Sequence, residues 1–365
     1  MQFRRSRQLF SQNNAVIGYV GFSQFGNVGD DLIYAAHEAT LAADLIPLPT
    51  ESERLLYAAH KSMGFHHDVR GILMGGGTIF GRAEWRRRVV HAMHTFHAPV
   101  IATGVGVEDP EFPGRRNYDD FSELEQWADV FRDSPHLSVR GPRSQELLRR
   151  VGLDSTVVSD TALLLTPDTL EVQRPDKPVL GVSFAAAGDE RDPAYLRGVE
   201  QSTEALQRLA QHGWTIAMFV FDKRDTPLTQ AMAARISGDV RIAPTPDDVT
   251  ELLPHIEACE AFVGQRLHSV VMASACGVPS IALEYQPKAR DFQMSINRED
   301  WVIATSDVSA GQLFSLVQEL AEHRGSHSTA IRHAVLQAKT TLLQEQRKIA
   351  GLLNLSSDKW KHVPQ

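Results

Sequence analysis

Three adjacent residues, Arg266-Leu267-His268, put a permanent cation two positions from a titratable proton donor. They follow an apolar run, Ala261-Phe262-Val263-Gly264, that reads as a buried strand, and they lead into a small-residue run, Val270 to Cys276, that reads as a helix. A helix that begins just past a strand turns its unsatisfied N–H groups toward the crevice at the strand's end, where they favour an anion. Arg266 adds a planar fixed charge there, and His268 adds a proton that can be given near neutral pH. Gly277 to Leu283 reads as a turn into another buried strand, so the triplet falls between two strands of an α/β sheet. An arginine in a surface ion pair beside a histidine packed under a helix would give the same three letters.

A second group of chemistry-bearing residues lies near the start of the chain. Ala15 to Val20 reads as a first strand and runs through Gly21-Phe22-Ser23-Gln24-Phe25-Gly26-Asn27-Val28-Gly29-Asp30-Asp31 into a helix. Glycines at such a junction let backbone approach a ligand. The spacing of Gly18, Gly21 and Gly26 does not match the dinucleotide fingerprint, and no acidic residue closes a second strand at the required distance, which disfavours a nicotinamide dehydrogenase. Asn27 and Asp30 fall at the helix start, where Asp30 serves either as a cap or as a base. Gly75, Gly76 and Gly77 follow another strand, where they either open backbone to a ligand or permit tight packing. Lys288 lies three residues past Tyr285 and either touches an anion or is solvated.

The elements that must position these residues alternate between strand and helix in two series. Apolar runs near Val16, Ile72, Val100, Leu137 and Val157 alternate with helical patterns near Leu32, Val89, Leu124 and Leu147. Thr166 to Pro178 carries three prolines and reads as an interdomain linker. The alternation resumes at Val179–Phe184, Thr215–Phe221, Val240–Ile242, Ala261–Val263 and Ser280–Leu283. The pattern predicts an α/β protein of two similar halves that make a central cleft. Their expected ranges are 1–170 and 178–325, followed by a C-terminal helix and tail over 326–365.

Composition narrows the function classes. A chain of 365 residues, 42% hydrophobic, is long enough for two cores, and a net charge of -8 argues against general nucleic-acid binding. Cys259 and Cys276 offer neither a disulfide framework nor metal spacing. Arg4, Arg5 and Arg7 precede no apolar stretch, and no run reaches membrane-spanning length, so the expectation is a cytoplasmic protein. Lys348, Lys359 and Lys361 would allow peripheral contact with an anionic inner membrane face. His91, His94 and His97 spread around a helix and predict no metal site, and Arg82 with Arg86 to Arg88 reads as a solvated helix face.

The chain resembles the polysaccharide pyruvyl transferases. The resemblance rests on Gly26-Asn27-Val28-Gly29-Asp30, Gly75-Gly76-Gly77, Gly104-Val105-Gly106, Ser138-Val139-Arg140 with Ser144, Asp160 with Ala162, Arg266-Leu267-His268, and Tyr285 with Lys288, in the family's order. Thr161 replaces a common proline and Gly141 a common acidic residue. The resemblance implies a GT-B-like arrangement of two Rossmann-like domains facing across a central cleft, and transfer of pyruvate from phosphoenolpyruvate to two hydroxyls of a sugar as a ketal. It assigns donor binding to Arg266, Arg140, Leu267 and Lys288, proton donation to His268, and proton acceptance to Asp30. Asn27, Gly29, Gly76 and Gly77 fall to the acceptor side or its loops. Phosphoenolpyruvate is the co-substrate, the expectation includes no cofactor or metal, and the sugar acceptor is either free or lipid-linked. The competing readings are a GT-B nucleotide-sugar glycosyltransferase and a non-catalytic anion- or sugar-binding protein of the same fold. The acceptor sugar and the oligomeric state are left open by the sequence.

Overall fold

The computed structural model describes residues 15–22, 28–41, 43–48, 68–112, 120–166, 176–186, 192–243 and 249–355. The chain divides into two compact units, one of residues 1–23, 33–161 and 341–365, the other of 24–32 and 162–340. The sequence-based boundaries differ from these in three places: residues 28–32 at the start of the first helix and residues 162–166 count with the second unit, and the end of the C-terminal helix counts with the first. Hydrophobic patterning locates elements, whereas long-range packing decides which core each one joins. Residues 167–175, most of the expected linker, lie outside the described residues.

The first unit is built on a parallel sheet of β1 (Ala15–Val20), β2 (Asp44–Pro47), β3 (Asp68–Gly75), β4 (Thr78–Phe80), β5 (Val100–Val107), β6 (Leu137–Val139) and β7 (Thr156–Val157). Its order is β2-β1-β3-β5-β6-β7, with β4 joined to β5. The helices are α1 (Val28–Thr40), whose first turn counts with the other unit, α2 (Ala83–Phe96), α3 (Ser122–Phe131) and α4 (Pro142–Arg150). All eight β5 residues are buried, the pattern of a strand covered on both faces. One core gathers Phe80, Trp85, Trp127, Phe131 and Leu147, and another sets Ile17, Tyr19 and Leu45 against Ile349 and Leu353 near the chain's end.

The second unit repeats the plan with β8 (Val179–Ser183), β9 (Thr215–Met218), β10 (Val240–Ile242), β11 (Ala261–Gly264), β12 (Ser280–Glu284) and β13 (Val302–Ala304). They pair in parallel in the order β10-β9-β8-β11-β12-β13, the doubly wound dinucleotide-fold order. The helices are α5 (Pro193–Gln211), α6 (Thr226–Ala233), α7 (Leu253–Glu257), α8 (Leu267–Ala275), α9 (Lys288–Ser295), α10 (Ala310–Glu322) and α11 (Arg324–Leu352), the last divided between the units. Every side chain of α8 is buried. Its small residues allow this, and it explains why the segment reads as apolar on all sides rather than amphipathic. In this strand order the chain reverses its winding direction between β8 and β11, the place where sheets of this kind bind ligands.

Candidate active site

Arg266 stands at that reversal. Gly264 closes β11 opposite Ser183 of β8, and Gln265 then bridges the two ends. The Gln265 N–H donates to the Ser183 carbonyl (2.8 Å), its side-chain oxygen accepts from the Ala185 N–H (2.9 Å), and its Nε2 donates to Thr305 Oγ1 (3.1 Å). Gln265 is fully buried, so the backbone leading into Arg266 is fixed by polar bonds on three sides. Arg266 is the extended residue before α8, and its carbonyl accepts from the Ser269 hydroxyl (2.7 Å). Leu267 is a core residue.

The guanidinium of Arg266 is held by acidic residues that the sequence reading did not single out. Nε donates to Asp225 Oδ2 (2.7 Å) and Nη2 to Asp225 Oδ1 (2.5 Å), a two-pronged pair on a fully buried carboxylate. Asp225 Oδ1 also accepts from the Ala186 N–H (2.8 Å). Asp222 lies 3.6 Å from Nη2 and is itself clasped by Arg224, whose Nη2 reaches Asp222 Oδ2 at 2.5 Å. Burial opposes the charge on Arg266, but the bonds to Asp225 outweigh it and raise its pKa above the ordinary value. Burial pushes Asp222 upward while the bonds from Arg224 pull it down, and the net direction is down. The remaining nitrogen of Arg266, Nη1, donates to Tyr285 Oη at 3.5 Å, and Lys288 Nζ sits 5.8 Å from the centroid of the Tyr285 ring. Arg266, Tyr285 and Lys288 therefore form one cluster at the ends of β11 and β12.

His268, 8% exposed, is in the first turn of α8. It meets the start of α1: a Cβ added to Gly29 would fall 1.7 Å from the His268 Nδ1, so the imidazole lies directly on the glycine backbone. Val28 N–H donates to the Phe221 carbonyl (3.2 Å), which ties this turn to the segment after β9. The two motifs thus converge within the second unit. Asp30 is buried in the third position of α1, inside the first turn rather than at the cap, where a carboxylate is favoured by the helix dipole. Asn27 lies outside the described residues.

The other site residues are in the first unit. Arg140 follows β6, is fully buried, and places Nε 2.8 Å from Asp160 Oδ2. Its Nη1 and Nη2 have no hydrogen-bond acceptor among the described residues, and neither has the Thr78 hydroxyl beside it. A Cβ on Gly106 would fall 2.9 Å from Arg140 Nη1 and 3.1 Å from Thr78 Oγ1, so this glycine makes room for the guanidinium. Gly76 and Gly77 have φ of 68° and 73°, a left-handed backbone that side chains rarely adopt, and a Cβ on Gly76 would also strike Ile33. They lie at the end of β3 where the first sheet reverses, and the Tyr19 hydroxyl donates to the Gly75 carbonyl at 2.5 Å.

The sequence profile of the polysaccharide pyruvyl transferases matches residues 27–287, a span that opens on Asn27 and contains the Arg266 and His268 turn. The chain belongs to the polysaccharide pyruvyl transferase family. Membership makes it a transferase of polysaccharide synthesis. Solved structures share the fold of this pyruvyl transferase at low identity. Staphylococcus aureus MnaA in complex with UDP is 14% identical, with 95% of this chain and 98% of that one covered and a TM-score of 0.60. The UDP-GlcNAc 2-epimerase of Neisseria meningitidis bound to UDP-GlcNAc is 10% identical, with 90% and 100% covered and a TM-score of 0.56. A UDP-glucosyltransferase of Polygonum tinctorium is 12% identical, with 94% and 99% covered and a TM-score of 0.56. The pyruvyl transferase thus has the GT-B-like fold.

The basic run from Arg82 to Arg88 has structural partners. Arg82 pairs with Glu108, Arg86 grips Glu123 with two bonds (2.7 and 3.2 Å), and Arg88 stacks on Trp85. Among the described residues no group of three or more His, Cys, Asp or Glu side chains is arranged to hold a metal ion, and no helix is long and apolar enough to cross a membrane.

Proposed function

We propose that this pyruvyl transferase moves the pyruvyl group of phosphoenolpyruvate onto two hydroxyls of a sugar. The observation that carries the reading is the cluster of Arg266, Tyr285 and Lys288 at the ends of β11 and β12, with His268 two residues on from Arg266 against the Gly29 turn, in a chain of this family. Phosphoenolpyruvate carries a carboxylate and a phosphate, and Arg266 and Lys288 supply cations for an anion there. His268 gives its proton to the methylene carbon while one sugar hydroxyl adds to the neighbouring carbon, and Asp30 takes the hydroxyl proton. The second hydroxyl then displaces phosphate at that carbon, its proton leaves with the phosphate, and the ketal closes. Arg140 is assigned an anion-anchoring role in the first unit, because Asp160 pairs with its Nε and its two Nη groups have no acceptor among the described residues. No cofactor or metal enters this reading, and the sugar acceptor is free or lipid-linked.

A nucleotide-sugar transferase would need an acidic residue to clamp a ribose after β12. Glu284 holds that place, and Arg290 engages it (3.0 Å from Nε, 2.9 Å from Nη2), which disfavours the alternative. The test is calorimetry with phosphoenolpyruvate and with UDP-sugars, followed by phosphate release from phosphoenolpyruvate across a panel of saccharides in deuterated water. The expected result is phosphoenolpyruvate binding, saccharide-dependent phosphate release and deuterium in the pyruvyl methyl group. Binding of UDP-sugars with none of phosphoenolpyruvate would overturn the reading.

A further inference from the structure

Arg266 has five N–H bonds, and the structure accounts for the direction of each nitrogen. Asp225 takes Nε and one N–H of Nη2 as a matched pair, so one of the two edges that can grip a carboxylate or phosphate is already closed on a protein side chain. Three N–H bonds are left at the opposite end: two on Nη1, on the side of Tyr285 Oη, and the second on Nη2, with Asp222 3.6 Å away. Asp225 itself cannot swing away easily. It is fully buried, and the Ala186 N–H just past β8 holds its Oδ1. Asp222 does not compete strongly for the guanidinium, because Arg224 clasps it.

The charge balance has a consequence of its own. Arg266 and Arg224 face Asp225 and Asp222, so these four groups are neutral together, and Lys288 beside Tyr285 adds the one uncompensated cation of the five. A fixed donor on a neutralised arginine supplies direction, and a lysine on a flexible stem supplies attraction.

We infer that Asp225 is a positioning residue that makes Arg266 meet an anion end-on, through its Nη end with the Tyr285 hydroxyl beside Nη1, while Lys288 provides the net charge. The inference rests on the proposed donor site and names its recognition mode: an anion at the Nη end and Tyr285, not one gripped by the Nε–Nη2 edge. Tyr285 and Asp225 thereby become determinants of donor orientation, separable from affinity.

The test follows the arginine side-chain signals of the parent protein in nitrogen-15 spectra while inorganic phosphate, and separately phosphoenolpyruvate, is added. The Nε–H signal of Arg266 is expected to stay in place and exchange slowly, while the Tyr285 ring signals move. An Nε–H signal that shifts or exchanges rapidly as phosphate binds overturns the inference, and so does phosphate binding that leaves Tyr285 unmoved. Asp225→Asn supplies the kinetic arm. It uncovers charge on Arg266 while releasing its orientation, so phosphate is expected to bind at least as tightly and phosphoenolpyruvate turnover to fall tenfold or more. A merely structural Asp225 would instead lower both in proportion to the folded fraction, and a variant with parental kcat and KM would also sink the idea. Phosphate effects as expected with no turnover of phosphoenolpyruvate by the parent would remove the proposed function and leave the geometry of Arg266 standing.

Discussion

At the residue scale, His268 and Arg266 call for different experiments. His268→Gln keeps comparable reach but offers no usable acid, so turnover is expected to fall about a hundredfold to ten-thousandfold while phosphoenolpyruvate affinity holds. Rates and calorimetric affinities measured on one preparation check this, and normal turnover by the glutamine variant would end the acid assignment. Arg266→Ala has a second effect beyond lost donor binding. It leaves the buried Asp225 charge uncompensated, with Asp222 in the same cluster, and breaking such a pair costs about 3–5 kcal/mol. Adding Asp225→Ala should recover much of that stability without recovering donor affinity, which the lost charged bond lowers by about 1.5–3 kcal/mol. Denaturant unfolding and phosphoenolpyruvate titration of both variants separate the terms. A single variant as stable as the parent would show that the pair carries no such strain when broken.

At the element scale, the start of α1 and the start of α8 depend on each other. Alanine ordinarily favours a helix over glycine by about 1 kcal/mol. At Gly29 the sign reverses, because the new Cβ would fall 1.7 Å from the His268 ring and must push it aside. Gly29→Ala is therefore expected to lower stability by about 1–3 kcal/mol, the usual range for overpacking, and to lower turnover more than donor affinity. Gly71 in β3 gives the matching control away from the chemistry. Its Cβ would fall 2.5 Å from Leu353 Cδ2, so Gly71→Ala should reduce the melting temperature while turnover per folded molecule persists. Equal loss of turnover in both variants would mean that the Gly29 contact has no special link to His268.

At the scale of the whole molecule, one buried histidine sets a pH limit on stability. His37 is in α1, hydrogen-bonded through Nδ1 to Gln346 at 3.4 Å, and burial lowers its pKa to about 4, against smaller upward effects of Gln346 and Asp160. The unfolded chain takes up the proton near the ordinary pKa of 6.5, whereas the folded chain resists until about pH 4. Stability from this group is therefore complete above about pH 6.5 and is lost as pH falls toward 4, by about 3 kcal/mol in all. Melting curves between pH 4 and 7 should show this slope in the parent and a shallower one in His37→Gln. Identical slopes would place the acid sensitivity elsewhere.

The sequence by itself determined the α/β class, the two series of alternating elements and the positions of the motifs, because strand and helix periodicity are local properties that a short window of residues carries. It also located Arg266 and His268 at a strand-to-helix turn, since the apolar run and the small-residue run meet there. Short strands such as β2, β4 and β13 escaped it, being too brief for a periodic signal. Only the tertiary structure decided that the Gly29 turn packs on His268, that Asp225 closes one edge of the Arg266 guanidinium, and that Arg140 is buried with Asp160. Those relations join segments distant in sequence, and nothing in the spacing of an aspartate in one loop tells which arginine it will neutralise. The strand order decided it: placing β8 between β9 and β11 brings the loops after all three strands to one edge of the sheet, where burial makes each charge find a partner.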